Sequence, residues 1–431
     1  MSISGGRNDI VTNNRFTNNG AWGILVVPYP DLRPPAAREL RLRPRRPPPP
    51  RSSAVGSTYR EGSTMIATTS RAAPPPLEDV LRDLTARTVP GLAAVVVDRD
   101  RVVLERAAGL ADIGAGRQMG IDSVCLWFSM TKIVTATAAM QLVDRGRLTL
   151  DDPVRAHLPG FPTPRARWPE VTVRHLLSHS SGLGNPIPVR WVHPVGRPAR
   201  DAHQFTLELL ARHGRLRFAA GSRAVYSNLG YLALGEVIGA AGGQRYEDHV
   251  RRHILAPLGM SCTDFTYRAD MDADAATGYQ SRRSPMTPLF RLMLPQGVVA
   301  GNEGRFLAFH RFCVDGPAYG GLIGSVRDAA RFMSAHLNAG RVDGIQLLSA
   351  ESVDAMQTIQ ATGRKLDVGL GWFRRHGDRP SPEPYLEHLG GGGGFFNMMR
   401  IYPGRRTGVT VMGNATAYDH QQVAAAVLGS G

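Results

Sequence analysis

The chain is strongly basic, yet it contains almost no lysine. Among the 51 basic residues of its 431-residue sequence, only Lys132 and Lys365 are lysine, and the others are arginine. Arginine keeps its proton inside a protein, whereas a buried lysine can lose its proton. A lysine that is retained in such a chain is therefore a candidate for chemistry that requires a neutral amine.

Cysteine is also scarce, and long apolar runs are missing. Cys125, Cys262 and Cys313 are widely spaced and form no Cys-x-x-Cys pair, and an odd number argues against a disulfide framework. No apolar run approaches the ~20 residues of a membrane-spanning helix. Residues 1–20 are polar and lack the layout of a signal peptide. These absences predict a cytoplasmic protein with no membrane partner.

The positive charge is unevenly distributed along the chain. Residues 1–75 hold eleven arginines and four acidic residues, so they carry +7 of the net charge of +15. Because this segment is rich in proline and arginine, we expect it to be disordered. The rest of the chain shows no run of basic residues and no nucleic-acid motif. We therefore predict no nucleic-acid partner.

Hydrophobic periodicity places strands near both ends of the globular part and helices between them. Predicted strands cover residues 91–97, 102–107, 370–374, 395–402 and 407–412, and predicted helices cover residues 129–145, 173–178, 206–212, 229–240, 327–338, 350–360 and 421–428. This order predicts the α/β class, of α+β type, with an antiparallel sheet that is built from both chain ends and flanked by helices. Residues 270–310 show no clear period.

The same order predicts two lobes. Residues 76–120 together with 310–431 are expected to form the α/β lobe, and residues 121–309 a mostly helical lobe with insertions. A functional site would then lie between the two lobes.

Ser129 and Lys132 form a Ser-x-x-Lys pair at the start of a predicted helix. The spacing places both side chains on one helical face, and a serine N–H at a helix start is a donor that favours developing negative charge. Burial in an apolar cleft would lower the pKa of the Lys132 amine, which could then accept the serine proton. The alternative is a capping serine beside an ordinary surface lysine.

Two further segments carry groups that are suited to acyl transfer. In Tyr226-Ser227-Asn228, a phenol beside a cationic amine can act as a base, and the Asn228 amide can donate and accept hydrogen bonds. A packed tyrosine and a helix-capping asparagine are the alternative. After His388, five glycines (390–394) form a predicted loop before a strand; they permit close backbone approach and leave N–H groups for an oxyanion. A merely flexible loop is the alternative.

Metal and cofactor chemistry find no support in the motifs. His175 and His179 are spaced i, i+4, but no His-Glu-x-x-His motif frames them. We expect these histidines to stabilise or cap a helix, and we predict that the protein needs no metal and no cofactor.

The three segments, in this order, resemble those of the serine β-lactamase and penicillin-binding-protein superfamily. They are most similar to those of class C β-lactamase-like carboxylesterases, the family VIII esterases. Residues 148–154, 175–183, 320–325 and 369–372 support the resemblance, which covers residues 77–428. It implies a β-lactamase/transpeptidase-like fold and these roles: Ser129 as acylated nucleophile, Lys132 as its activator, Tyr226 as general base, Asn228 as substrate contact, His388 and Gly390 as the ends of the third motif, and Gly391 with Ser129 as oxyanion donors.

The third motif departs from the β-lactamase pattern, which is Lys-Thr-Gly. His388 stands where those enzymes have a lysine that helps to bind the substrate carboxylate, and neutral esters need no such cation. We therefore predict a serine hydrolase of short- to medium-chain carboxylic esters, with weak β-lactam hydrolysis and a small-molecule ester as partner. The alternatives are a true β-lactamase or D-Ala-D-Ala peptidase, and a catalytically idle relative that binds ligands or partners. The motifs carry no information on the oligomeric state.

Overall fold

The computed structural model describes residues 75–378 and 381–428. The segment predicted to be disordered, residues 1–75, lies outside the described residues except for Pro75. Within the described ranges, no helix combines the length and the apolar character that crossing a membrane requires. The three cysteines are all free thiols.

Twelve α-helices form within the described residues. In chain order they are α1 (Leu77–Arg87), α2 (Thr131–Asp144), α3 (Val154–His157), α4 (Val173–Leu177), α5 (Ala202–His213), α6 (Asn228–Gly242), α7 (Tyr246–Val250), α8 (Met286–Met293), α9 (Pro317–Gly320), α10 (Val326–Leu337), α11 (Ala350–Gln357) and α12 (His420–Leu428). Short 3₁₀ turns at Phe128–Met130, Ala269–Met271 and Pro403–Arg405 and a π-helical turn at Arg251–Leu255 supplement them.

Eighteen strands accompany these helices in the same part of the chain. They are β1 (Gly91–Asp98), β2 (Arg101–Asp112), β3 (Arg117–Gln118), β4 (Cys125–Leu126), β5 (Val192–Pro194), β6 (Gly278–Ser281), β7 (Val299–Glu303), β8 (Phe306–Phe309), β9 (Phe312–Val314), β10 (Ile323–Gly324), β11 (Arg341–Val342), β12 (Ile345–Gln346), β13 (Ala361–Thr362), β14 (Leu366–Val368), β15 (Phe373–Arg375), β16 (Leu386–Gly392), β17 (Phe395–Tyr402) and β18 (Thr407–Gly413).

Nine of these strands form one antiparallel sheet, in the order β13-β14-β15-β16-β17-β18-β1-β2-β3. Strand β1, from the start of the described chain, pairs with β18, from its end, and the register runs from Leu92 opposite Gly413 to Asp98 opposite Thr407. The prediction of an antiparallel sheet built from both chain ends is therefore confirmed.

The side chains of β1 alternate between two buried layers. Leu92, Ala94 and Val96 pack with α1 and α12 on one face of the sheet. The intervening residues 93, 95 and 97 point into the larger core on the other face, where α10 packs across β1 and β18. Because helices cover both faces, β1 is a continuous apolar run instead of the alternating pattern of a half-exposed strand.

The region between the two ends of the sheet contains α2 to α8. It also contains a small sheet in the order β6-β8-β7. Residues 270–310, which show no clear period in the sequence, therefore form ordered strands with helix α8 between them. The exact boundaries of the two lobes stay a prediction.

Three predictions of local structure are wrong. Glycines 390–392 do not belong to a loop but to β16, which pairs with β17, so that only Gly393 and Gly394 form the turn. The strand predicted at 370–374 is limited to Phe373–Arg375, because Gly371 has a φ of 87° and turns the chain just before it. Helix α2 begins at Thr131, and Ser129 lies in a 3₁₀ turn ahead of it.

Candidate active site

Ser129 lies in the middle of the 3₁₀ turn Phe128–Met130, which leads directly into α2. Strand β4 ends just before this turn and pairs with β10. The next residue, Trp127, continues this contact, because its N–H donates a 2.8 Å hydrogen bond to the Leu322 carbonyl. Phe128 has a φ of 48°, a left-handed conformation that costs a non-glycine residue about 1–2 kcal/mol. Ser129 is thus presented on a strained turn, and it is almost fully buried.

Lys132 places its amine against Ser129. Its Nζ lies 3.0 Å from Ser129 Oγ and donates a 2.6 Å hydrogen bond to the Tyr319 carbonyl. The side chain is 0% exposed, so the alternative of a surface lysine is wrong. This burial lowers the pKa of the amine well below its usual range. A neutral amine that directs one N–H to Tyr319 can turn its lone pair toward the Ser129 hydroxyl.

Three tyrosine rings surround the Lys132 amine. The ring centroids of Tyr226, Tyr231 and Tyr319 lie 5.0, 5.5 and 5.3 Å from Nζ. An aromatic face attracts a cation, which favours the protonated amine. The same rings exclude water, and this desolvation is the dominant effect on the pKa of Lys132.

Strand β16 passes close to the Ser129 turn because its residues there are glycines. A Cβ atom on Gly390 would lie 1.9 Å from the Trp127 carbonyl oxygen, and one on Gly392 would lie 2.5 Å from the Phe128 ring. The glycines therefore serve a close approach between two parts of the chain. Gly391, between them, lies opposite Phe396 on β17. Its role as an oxyanion donor stays a prediction.

Tyr226 lies in the connection that leads into α6 and is 5% exposed. Its ring centroid is 4.4 Å from that of His179 and 6.1 Å from that of His388. The structure thus brings Ser129 and Lys132, Tyr226, and His388 from three separate parts of the sequence to one place. The predicted proximity of phenol and amine is present, while the role of Tyr226 as base stays a prediction.

Asn228 is the first residue of α6 and is fully buried. The helix cap is Ser227, whose Oγ accepts the Gly230 N–H at 3.0 Å, so the alternative that Asn228 caps the helix is wrong. The Asn228 backbone N–H donates to Asn185 Oδ1 at 3.0 Å. Both polar atoms of the Asn228 side-chain amide lack a hydrogen-bond partner among the described residues. The role of this amide as a substrate contact stays a prediction.

His388 is a buried, uncharged histidine. Its pKa lies well below the usual range because burial opposes the charged form. Its Nδ1 lies 2.8 Å from the carbonyl oxygen of Leu389, a contact that acts in the opposite direction. His388 therefore supplies no positive charge at the position where the resemblance places the β-lactamase lysine.

Two further residues shape the site without having been predicted to do so. Tyr319, in α9, supplies the carbonyl that orients Lys132. His179 packs its ring against Tyr226, whereas His175 performs the predicted capping role through its contacts with Thr172. The available signal for both was position alone: Tyr319 immediately precedes the stretch 320–325, and His179 lies inside the stretch 175–183.

A small apolar pocket opens beside Ser129. Its volume is about 30 Å³, and its walls include Val189, Val192, Phe290, Leu294 and Phe312. Acidic, histidine and cysteine side chains of the described chain form no group of three or more that could hold a metal ion. The pocket offers apolar contacts to a small group attached to Ser129.

Comparison with known proteins assigns the family. Residues 77–429 match the family described as Beta-lactamase. The chain belongs to the β-lactamase family. It is a hydrolase of the β-lactamase fold, in a superfamily of serine hydrolases that includes esterases, peptidases and β-lactamases.

Named members of the family bear different activities in their names. Penicillin-binding protein 4 of Amycolatopsis lactamdurans is 31% identical over 353 residues, which are 76% of this chain and 80% of that relative. Esterase EstB of Burkholderia gladioli is 34% identical over 309 residues, 67% of this chain and 75% of that relative. The octameric penicillin-binding protein homologue from Pyrococcus abyssi superposes with a TM-score of 0.67 at 26% identity, covering 82% of this chain and 76% of that one.

Proposed function

We propose that this β-lactamase-family hydrolase is a carboxylesterase that cleaves short- to medium-chain acyl esters through an acyl-enzyme on Ser129. The observation that carries the proposal is the burial of His388, which is 1% exposed, so that a positive charge on its imidazole would be desolvated. A neutral imidazole offers little attraction to a substrate carboxylate, whereas an uncharged ester requires none. The apolar pocket beside Ser129 supports the same substrate class.

Acylation begins with the serine hydroxyl. Ser129 Oγ attacks the ester carbonyl carbon while its proton passes to Lys132 Nζ, which lies 3.0 Å away. The N–H groups of Ser129 and Gly391 stabilise the oxyanion. The bond to the alcohol oxygen then breaks, and the proton held by Lys132 reaches the departing alkoxide through the Tyr226 phenol. The products of this step are the acyl-enzyme and the free alcohol.

Deacylation reverses the roles of the acid and the base. Tyr226 accepts a proton from a water molecule while its own phenol proton passes to the neutral Lys132 amine, and the water oxygen attacks the acyl carbon. The Ser129 oxygen leaves and recovers a proton through Lys132, so the carboxylic acid is released and the enzyme is restored. All of these steps use groups of the chain itself and a water molecule. The predicted setting is the cytoplasm.

Turnover of two chromogenic substrates tests the proposal against its nearest alternative. We expect p-nitrophenyl butyrate to be hydrolysed with a far higher kcat/KM than a chromogenic cephalosporin, which carries a carboxylate. Negligible ester turnover beside rapid cephalosporin turnover would instead identify a β-lactamase. D-Alanine release from a D-Ala-D-Ala peptide tests for the peptidase in the same way.

Labelling with a fluorophosphonate tests whether the site is idle. The probe transfers its phosphonyl group to an activated serine, so mass spectrometry of wild-type protein should locate the adduct on Ser129. Ser129→Ala provides the control, because it should fold equally well and remain unlabelled. Folded wild-type protein without an adduct would favour a relative that only binds ligands or partners.

A further inference from the structure

His179 occupies the position after α4 where helices commonly have a glycine. Its φ is 54°, its N–H bonds to the Leu176 carbonyl at 3.2 Å, and the next N–H, of Ser180, bonds to the His175 carbonyl at 2.8 Å. This pair of hydrogen bonds is the Schellman ending of a helix, and a left-handed residue is what it requires. A glycine would adopt the conformation without steric penalty, so the imidazole is retained there against a backbone cost.

The imidazole and the carbonyl of His179 hold both chain neighbours of Tyr226. The His179 carbonyl accepts the Val225 N–H at 2.8 Å, and His179 Nδ1 accepts the Ser227 N–H at 3.2 Å. The ring itself packs against the Tyr226 ring, with 4.4 Å between the centroids. His179 thus contacts the segment before, at and after Tyr226.

The protonation state of His179 suits this arrangement. An Nδ1 atom that accepts a backbone N–H carries no proton, so the proton of the neutral ring resides on Nε2. Burial lowers the pKa of His179 well below its usual range. The ring therefore remains neutral, and the hydrogen bond from Ser227 persists, at the pH at which an esterase is assayed.

We infer that His179 is a positioning residue for the reaction. It holds the Tyr226 phenol in the correct position relative to the Lys132 amine. It touches neither the substrate nor Ser129 and acts through Tyr226, whose ring centroid lies 5.0 Å from Lys132 Nζ. The inference rests on the proposed role of Tyr226 as proton shuttle. It assigns a mechanistic role to a histidine that the sequence pattern alone associates with helix stability.

The central test is His179→Gly. Glycine keeps the carbonyl, favours the left-handed backbone and removes only the ring. We expect kcat to fall about 30-fold to 100-fold, as for a catalytic group displaced by about 1 Å, with KM changed by less than about threefold. The thermal midpoint should fall, because the cavity and the unpaired Ser227 N–H cost more than the relaxed left-handed backbone returns, so kcat is measured well below that midpoint. Loss of the ring should also alter the pH dependence of kcat, because proton transfer through Tyr226 would take place in a changed geometry.

Two further variants separate positioning from structural support. His179→Asn should recover most of the lost kcat, since asparagine tolerates the left-handed conformation and its Oδ1 can accept the Ser227 N–H. His175→Ala is the matched control, because it removes the capping histidine one helical turn earlier. It should lower the thermal midpoint and leave kcat, measured well below that midpoint, unchanged.

The outcomes distinguish this inference from the proposed function. Each variant is assayed with p-nitrophenyl butyrate, with the cephalosporin and by the rate of fluorophosphonate labelling. The wild type shows which substrate is preferred and so tests the proposed function. The ratio of variant kcat to wild-type kcat on that substrate tests the role of His179. The positioning role is overturned if His179→Gly keeps kcat within about threefold of wild type on the preferred substrate. It is equally overturned if His175→Ala loses as much kcat as His179→Gly.

Discussion

Replacement of Lys132 by arginine tests whether the amine must lose its proton. Arginine preserves a positive charge and a long side chain, but its guanidinium stays protonated and cannot accept the Ser129 proton. Positioned general acid–base catalysis contributes about 10²-fold to 10⁴-fold to a rate, and Lys132 is also the nearest basic group to Ser129, with 3.0 Å between Nζ and Oγ. We expect kcat/KM to fall about 10³-fold or more in Lys132→Arg, close to the loss in Lys132→Ala.

The effect of Lys132→Met on stability tests the same protonation state independently of activity. Removal of the amine leaves the Tyr319 carbonyl without its 2.6 Å hydrogen bond, a loss of about 1–3 kcal/mol. It also removes a group whose pKa burial holds well below that of an unfolded lysine. Between the lowered folded-state pKa and the unfolded pKa of about 10.4, the unfolded wild type therefore binds a proton that the folded protein lacks. Wild-type stability should rise relative to Lys132→Met as the pH increases through this range toward about 10.4.

Hydrolysis of p-nitrophenyl butyrate measures the first effect, and urea unfolding at several pH values measures the second. Ser129→Ala defines the background rate. If Lys132→Arg kept more than about one tenth of the wild-type kcat/KM, the requirement for a neutral amine would be refuted. If the difference in unfolding free energy between wild type and Lys132→Met did not change with pH, Lys132 would have the same protonation state in the folded and the unfolded protein.

Three further predictions concern the backbone, the buried histidines and the pocket. In urea unfolding, Gly390→Ala should lose more than about 3 kcal/mol, because its Cβ would overlap the Trp127 carbonyl oxygen, whereas Gly393→Ala, whose Cβ has no neighbour closer than 3.8 Å, should stay within about 0.5 kcal/mol. Burial lowers the pKa of His336 to about 3, so below pH ~6.5 the unfolded state binds a proton that the folded state does not. The free energy of unfolding should therefore decrease by about 2 kcal/mol when the pH is lowered from 7 to 5, and His336→Gln should reduce this decrease. Phe290→Ala should shift the ester preference from butyryl toward octanoyl, and an unchanged chain-length profile would exclude this wall as the limit.

Patterns confined to short segments were sufficient for much of the fold. Helices α6, α10 and α12 agree with their predicted ranges to within about two residues, because apolar residues that are buried in the fold recur along each of them. Strand β16 was missed because glycine, judged locally, favours a loop. In the folded chain, β16 forms its hydrogen bonds with β17. The Ser129 turn lies so close to Gly390 and Gly392 that no side chain would fit at these positions.

The site shows the same division. Ser129 and Lys132 are three residues apart, so their proximity follows from local helical geometry, and the resemblance to a known family adds Tyr226, Asn228 and His388. Neither spacing nor resemblance predicts the hydrogen bond from the Ser227 N–H, next to Tyr226, to His179, since it joins residues 48 positions apart. The Tyr319 carbonyl reaches Lys132 across 187 positions.

The sequence by itself determined the class of the sheet, its assembly from both chain ends and the identity of the chemical groups at the site. Only the tertiary structure decided how those groups are solvated. The pKa values of Lys132 and His388 are lowered because residues distant in sequence exclude water from them, and desolvation is a property of the packed environment that no short motif contains. The scarcity of lysine indicated where a titratable amine is retained, and burial supplies the reason why that amine can act as a base.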